Sequence, residues 1–593
     1  PATKFRLGSI TKQFTAAAIL ILEERGRLSI DDPVKKHMPD APAAWDKITI
    51  RHLLTHTSGI RDWTGLLPMA DEGTDVLALI VRQRGLNFTP GTEWSYSNSG
   101  YVLLKEIVAR TSGMNFAEFA RTRLFAPLGM TATAYVPDVL QGGANVALAY
   151  QKDGERWQRF MRLGNERGGG AIISTTGDLL KWNDALRDNR LGAFVTQKLQ
   201  EEARLANGRT VRYARGLIPD DAGGVPVVSH SGGAAGYSTW LGRFPTHDLS
   251  VVVMCNYEPV SATGYASQVA NLFLPAPAPN PVAAALATAR AATAGVDLNP
   301  MAGLYFSEQT GEPLRLAVAE GGFSVANGPR LVAVAPDRFK LVRPNLFFRS
   351  QDDVELRFPS AGIAELVSPG GGVERYHRAT PHTHTAAELQ AFEGRYRSEE
   401  LGSTWELVPA AGGLVMRAAN DSAKSVEFAP AARDTFVRSL MVVRFVRDAG
   451  GRVTDFDYGN PLVRRIRFTR IGDRTQGTAA GASAASNAAT ASARSPVVPV
   501  TKAPVGSAPQ LESLAGEYEV GPGRHLAITV EDGRLHGTPP AGAKRVLTHV
   551  SGTLYAADAA SGVTLEFLLG ADGRATGAVM RQGGREMTLR KVR

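Results

Sequence analysis

Serine 9 stands three residues before lysine 12, in Ser9-Ile10-Thr11-Lys12. A serine hydroxyl is a weak nucleophile near neutral pH and gains reactivity only when a base is held within hydrogen-bond reach. On an α-helix a spacing of three puts both side chains on one face, so Lys12 can touch the Ser9 oxygen. The following residues support such a helix: Ile10, Phe14, Ala17, Ile21 and Leu22 recur at helical period, and Gly26 is its stop. Ser9 then lies at the positive end of the helix, which favours a developing alkoxide. Burial against the apolar stripe, together with that positive end, would promote loss of the lysine proton. Because S-x-x-K arises by chance in any long chain, the pair needs company before it predicts chemistry.

That company comes far along the chain. Tyr96 and Asn98 sit in Ser95-Tyr96-Ser97-Asn98, on a loop just before a second helical run containing Leu104, Ile107 and Val108, and His230-Ser231-Gly232-Gly233 comes later. Only a fold can bring these segments together. The ordered set S-x-x-K, Y-x-N and a late (K/H)-(S/T)-G triplet resembles the penicillin-recognising serine hydrolases: class C β-lactamases, D,D-carboxypeptidases, family VIII esterases and D-aminopeptidases. The phrases FRLGSITKQFTA, LLTHTSGI, FTPGTEWSYSNSGY, APLGM and GGGAIISTTGDLLKW fit as well, and the resemblance covers about residues 1–273.

The resemblance implies an α/β catalytic domain, an antiparallel sheet flanked by helices. It implies that Ser9 attacks a carbonyl, that Lys12 and Tyr96 share proton removal and return, and that Asn98 holds a substrate amide. The backbone N–H groups of Ser9 and Gly233 would form the oxyanion hole. His230 completes the catalytic set, and Ser231 and Gly232 line the substrate side of the triplet. In β-lactamases and carboxypeptidases the triplet usually reads K-T-G and binds a free carboxylate. Here it reads H-S-G, and imidazole is mostly uncharged near pH 7, so the anion site is weakened. The departure points away from carboxylate-terminated substrates and toward the D-aminopeptidases, D-amino-acid amidases and some esterases, and it remains compatible with slow β-lactam turnover.

Other residues read as structural. His56 falls in a turn after a short helix, where packing or turn geometry explains it. His377, His382 and His384 lack the carboxylate or cysteine pattern of a metal site and fall between two β-rich segments, as a solvated linker would. No metal site, nucleotide fingerprint or cofactor motif is present, so none is expected. The formal net charge of +9, from 66 basic and 57 acidic residues, is spread thinly, which excludes a nucleic-acid groove and leaves attraction to anionic envelope material such as peptidoglycan. The single cysteine, Cys255, excludes an intrachain disulfide and reads as a buried strand residue in VVVMCNY. No apolar run reaches transmembrane length.

At 593 residues the chain needs several domains. Pro/Ala-rich sequence from Pro275 to Gly295 and an Ala/Ser/Thr/Gly tract from Arg474 to Pro509 mark linkers, the second disordered, and Ala283 to Thr293 is long enough for a short helix. Between and after them a pattern repeats. Ala302-Gly303-Leu304-Tyr305, Glu393-Gly394-Arg395-Tyr396 and Ala515-Gly516-Glu517-Tyr518 each open a series of short alternating apolar runs broken by glycine turns. Three small antiparallel β-barrels follow from this pattern. The expected layout is a hydrolase domain over 1–273, a linker over 274–296, barrels over 297–380 and 385–473, a disordered linker over 474–508 and a third barrel over 509–593. D-aminopeptidases carry two such barrels; this chain has three.

The expected activity is acyl-enzyme hydrolysis of an amide or ester, with an amino-terminal D-amino-acid residue of a short peptide or amide as the preferred substrate. The alternatives are an esterase or weak β-lactamase or carboxypeptidase, and, from another class, a non-catalytic envelope-binding or sensor protein. By resemblance alone the location is periplasmic or secreted. The family has an N-terminal helix and β-hairpin ahead of the S-x-x-K helix that this sequence does not contain, so the strand around Val251-Val252-Val253-Met254 is expected to be an unprotected edge.

Overall fold

The computed structural model describes residues 2–138, 143–153, 156–160, 170–234, 236–257, 259–275, 296–319, 321–325, 330–342, 354–368, 372–410, 412–472, 511–521, 524–538, 544–551, 553–557, 563–570, 572–582 and 585–592. Nearly all of both linkers, including Ala283 to Thr293, lies outside these residues. The chain divides into two compact units, Pro1–Thr478 and Ala479–Arg593.

Helix α1 (Thr11–Glu24) follows a single 3-10 turn, Gly8–Ile10, that carries Ser9. The apolar stripe predicts one buried face, yet every residue from Thr11 to Leu22 is buried. The reason is position: α1 runs through the middle of the domain, against helix α2 (Asn98–Ser112) and the helix Ala193–Gln200. Two of its buried polar side chains have partners inside the domain: Trp182 Nε1 donates to Gln13 Oε1 at 2.9 Å and Thr11 Oγ1 accepts from the Ile172 N–H at 3.3 Å.

Two sheets flank this core. Strands β1 (Phe5–Arg6), β2 (Ala134–Tyr135) and β3 (Ile172–Ser174) form a small sheet in the order β1-β3-β2. Strands β4 (Ile218–Asp221), β5 (Pro226–Ala234), β6 (Tyr237–Phe244) and β7 (Leu249–Cys255) form an antiparallel meander in the order β7-β6-β5-β4. Helix α3 (Thr176–Arg187) and helix α4 (Ala262–Ala270) pack against β7. Among the described residues β7 ends the sheet. Its faces are covered, with Val251 buried and Val252, Val253 and Met254 half-buried, and Cys255 is half-buried at the end of the strand.

The three repeats are three closed barrels of eight antiparallel strands. The first runs from Gly303–Ser307 to Val373–Arg378, the second from Gly394–Ser398 to Val463–Gly472, the third from Gly516–Gly521 to Arg585–Lys591. The repeated tyrosine has one job in all of them. Its ring is fully buried and its hydroxyl donates to the carbonyl four residues earlier: Tyr305 to Met301 at 2.9 Å, Tyr396 to Phe392 at 3.0 Å, Tyr518 to Leu514 at 2.6 Å. The hydroxyl thereby pins the entry turn to the first strand. His377 belongs to the last strand of the first barrel rather than to the linker after it, whereas His382 and His384 follow that strand.

The second barrel shares its core with the catalytic domain. Leu66, Met69, Ala70 and Leu79 are buried in one cluster with Phe392, Tyr396, Leu401 and Trp405. Polar contacts rim this seam, as where Trp405 Nε1 and Ser403 Oγ both donate to the Met69 carbonyl. Among the described residues no helix is long and apolar enough to cross a membrane.

Candidate active site

The Ser9 turn, the start of α2 and strand β5 meet at one cleft. Lys12 is fully buried, and its Nζ lies 3.2 Å from Ser9 Oγ and 2.7 Å from Asn98 Oδ1. The spacing of three thus does what helix geometry predicts, even though Ser9 belongs to the 3-10 turn ahead of α1. Tyr96 lies beside this pair, with its ring 4.7 Å below Lys12 Nζ and its hydroxyl facing Ser9 without forming a hydrogen bond of good geometry. Burial drives the Tyr96 hydroxyl far above its ordinary pKa, and the neighbouring Ser9 pulls it partly back. The Tyr101 ring lies 5.4 Å from the same ammonium, so two aromatic faces receive it.

Strand β5 closes the other side. Gly8 adopts φ +55°, and Thr239 Oγ1 donates to the Leu7 carbonyl at 2.8 Å, which ties the turn to the sheet. The approach is so close that a methyl group on Gly232 would lie 1.9 Å from the Leu7 carbonyl oxygen. Only glycine fits there, and Gly233, the next residue, is exposed at the cleft beside the Ser9 turn. Ser231 is half-buried on the same strand, opposite Trp240.

His230 is only 3% exposed, so it lies beneath the open surface of the cleft, on the strand that carries Ser231 and Gly233. Its Nδ1 is 2.6 Å from the Ser231 carbonyl, an acceptor only, so Nδ1 carries the proton and Nε2 accepts from the Tyr213 hydroxyl at 3.4 Å. Burial first, and the Lys12 charge second, lower its pKa to about 4. It is therefore neutral at pH 7.

This shift has a stability consequence of definite sign. The folded pKa lies below the ordinary value of 6.5, so between about pH 4 and 6.5 the unfolded chain binds the extra proton and stability rises with pH. His230 alone is expected to cost about 3 kcal/mol of folding stability on going from pH 7 to pH 4. Denaturant titrations at both pH values should show a smaller loss in His230→Gln, and equal losses would remove the assignment.

Four residues of this cluster are not among the residues expected from sequence to carry chemistry. His56 has φ +60°, accepts the Ser97 N–H on Nδ1 at 3.1 Å and stacks on Tyr96 with centroids 4.3 Å apart. Burial first, and the Lys12 charge second, hold its pKa well below the ordinary value. Tyr213 bridges His56 and His230, and Tyr101 donates to the Leu54 carbonyl at 2.8 Å. Asp62, buried at 1% exposure, accepts both the backbone N–H and the side-chain amide of Asn98. Asn98, expected to hold a substrate amide, thus has its oxygen on Lys12 and its amide nitrogen on Asp62. Sequence signals exist for His56, which lies within LLTHTSGI, and for Asp62, whose side chain caps the short helix Trp63–Leu66. The histidines after the first barrel have other partners: His382 pairs with Glu388 at 3.1 Å and His384 with the Arg433 carbonyl at 2.8 Å. Among the described residues no group of metal-ligating side chains is assembled.

Residues 1–272 match the family model described as Beta-lactamase. The match takes in 272 of the 593 residues and marks the amino-terminal domain as β-lactamase-like. Residues 501–591 match a domain of unknown function, DUF3471. Over 284 residues the chain is 33% identical to penicillin-binding protein 4* of Bacillus subtilis, covering 43% of this chain and 61% of that protein's length. A D-aminopeptidase of Brucella canis is 25% identical over 501 residues, covering 79% of this chain and 90% of the relative. Among solved structures, the octameric penicillin-binding protein homologue from Pyrococcus abyssi is similar over 63% of this chain and 88% of its own, at 22% identity and a TM-score of 0.43. The amino-terminal domain is thus β-lactamase-like and is followed by antiparallel barrels, a layout shared with the D-aminopeptidase relatives.

Proposed function

We propose that Ser9 is the nucleophile of a D-aminopeptidase or D-amino-acid amidase type of reaction. The observation that carries this reading is the 3.2 Å contact between Lys12 Nζ and Ser9 Oγ in a buried pocket. Ser9 Oγ attacks the amide carbonyl while its proton passes to the Lys12 amine, with Tyr96 alongside. The oxygen that becomes negative is held by the N–H groups of Ser9 and Gly233. Collapse of the tetrahedral intermediate breaks the C–N bond, the leaving amine takes the proton, and an acyl-enzyme remains. Water attacks next, activated by the same base, and restores Ser9.

The substrate class rests on His230. A neutral imidazole supplies no fixed cation for a substrate carboxylate, which suits an amide or a peptide whose carboxy terminus lies elsewhere. The long match to a D-aminopeptidase, spanning catalytic domain and barrels, supports the same choice. Parallel assays with D-alanine amide, a short-chain nitrophenyl ester and nitrocefin test it. Turnover of nitrocefin alone would overturn the substrate class, and no turnover of any of the three would favour a binding or sensor protein.

His230→Lys is expected to raise kcat/KM for C-terminal D-Ala peptides relative to neutral amides by about tenfold, within the ~1–3 kcal/mol of one charge-assisted contact. The buried setting adds a cost, since a second ammonium would sit near Lys12, and the variant should melt lower. An unchanged ratio of kcat/KM values would remove the specificity argument.

A further inference from the structure

Arg61 and Asp62 are adjacent, buried, and face opposite tasks. Arg61, 4% exposed, reaches into the second barrel: Nη1 meets Glu400 Oε1 at 2.6 Å, and Nε and Nη2 donate to the Arg464 and Arg465 carbonyls, each at 3.1 Å. The Asp62 N–H donates to the Leu462 carbonyl of the same barrel turn at 3.2 Å. The Asp62 carboxylate turns the other way. Oδ1 accepts the Thr64 N–H and Oγ1–H, both at 2.7 Å, and Oδ2 accepts the Asn98 backbone N–H and, at 3.0 Å, Asn98 Nδ2–H. Asn98 Oδ1 then accepts from Lys12, which touches Ser9.

The chemistry of this chain is directional. A carboxylate only accepts, so Asp62 forces the NH2 end of the Asn98 amide toward itself and the oxygen toward Lys12. Without that acceptor the amide is free to turn over and present two donors to an ammonium, which has no lone pair to offer. Lys12 would lose the contact that fixes its Nζ against Ser9. We infer that Asp62 is a positioning residue for the Ser9–Lys12 pair, and that the second barrel, through its Asn460–Arg465 turn and Glu400, is part of the apparatus that holds Asp62 in place. The inference rests on Ser9 being the nucleophile. It extends that reading by making the barrel a component of the reactive serine's activation.

The test is the rate at which a fluorophosphonate labels Ser9 in the full chain, followed by intact mass across pH. This readout needs an activated serine and no knowledge of the natural substrate. Asp62→Asn, which preserves shape but lets the Asn98 amide reverse, is expected to slow labelling by roughly 10- to 100-fold, the scale of a misplaced catalytic group. It should also move the acid limb of the rate–pH profile toward lower pH, because Lys12 loses both its oriented acceptor and a nearby anion. Glu400→Gln, in the barrel, should slow labelling several-fold with a displacement in the same direction, and it serves alone if Asp62→Asn does not fold. Wild-type rates and profiles in Glu400→Gln or in a folded Asp62→Asn would overturn the inference. So would slower labelling with an unmoved acid limb, the mark of a purely structural role. Failure of the wild-type chain to be labelled at Ser9 would instead overturn the nucleophile assignment.

Discussion

Replacing Lys12 with alanine is expected to lower kcat/KM by roughly four orders of magnitude or more, and the Ser9→Ala, Lys12→Ala double variant should be hardly worse than either single one. Members of a catalytic unit fail together, because once the nucleophile cannot shed its proton the remaining groups have nothing to act on. The structure adds a reason specific to this site. Lys12 Nζ hydrogen-bonds both Ser9 Oγ and Asn98 Oδ1, so its loss also removes the donor that ties Asn98 to the nucleophile. A fluorophosphonate adduct should form once per chain in the unmodified protein and disappear in Ser9→Ala. Labelling of a different serine, or Lys12→Ala activity within tenfold of the unmodified enzyme, would show that the pair is not the reactive unit.

The second large effect concerns the barrels. Truncation after Pro275 is expected to abolish folded, active protein, a stronger outcome than the altered substrate preference that linker-separated modules would give. Leu66, Met69, Ala70 and Leu79 belong to the core of the second barrel, and each buried side chain of the larger kinds contributes about 1.5–3 kcal/mol. Arg61 would lose Glu400 and the carbonyls of Arg464 and Arg465, and an uncompensated buried cation costs about 3–5 kcal/mol. Together these rival the roughly 5–15 kcal/mol that holds a typical protein folded. Size-exclusion chromatography and melting curves of residues 1–275 decide it. A monomer with the melting temperature and kinetics of the longer chain would show that the shared core is dispensable.

Much of this architecture was legible because it is local or repeated. The Ser9–Lys12 contact follows from helical spacing, the three barrels from a recurrent Gly-x-Tyr entry, and the strand around Val251 to Met254 from its apolar run. The site's supporting residues were not, because their partners are remote. Asp62 lies 36 residues from Asn98, and Arg61 lies 339 from Glu400. Nothing in the segment around Tyr213 announces that its hydroxyl will meet His230. The burial of His230 was hidden for the same reason. A histidine in a strand reads as exposed or enclosed only once the opposite layer, here Tyr96 and Tyr213, is in place.

The shared entry of the barrels ties two of them to the amino-terminal domain by the same device. After the repeated tyrosine, the first barrel reads Ser307-Glu308-Gln309-Thr310-Gly311 and the second Ser398-Glu399-Glu400-Leu401-Gly402. These duplicated loops meet the catalytic domain at matching positions. Gln309 donates to Glu93, in the segment leading to Tyr96, at 2.8 Å, and Glu400 holds Arg61. The third copy has Val520-Gly521-Pro522-Gly523 after its tyrosine segment instead. The same hairpin thus grips the amino-terminal domain in two barrels, while the third barrel carries a different sequence at that place. A substitution in either of the first two copies therefore acts on Arg61 or Glu93 as well as on its own barrel, a coupling that the third copy's sequence does not supply.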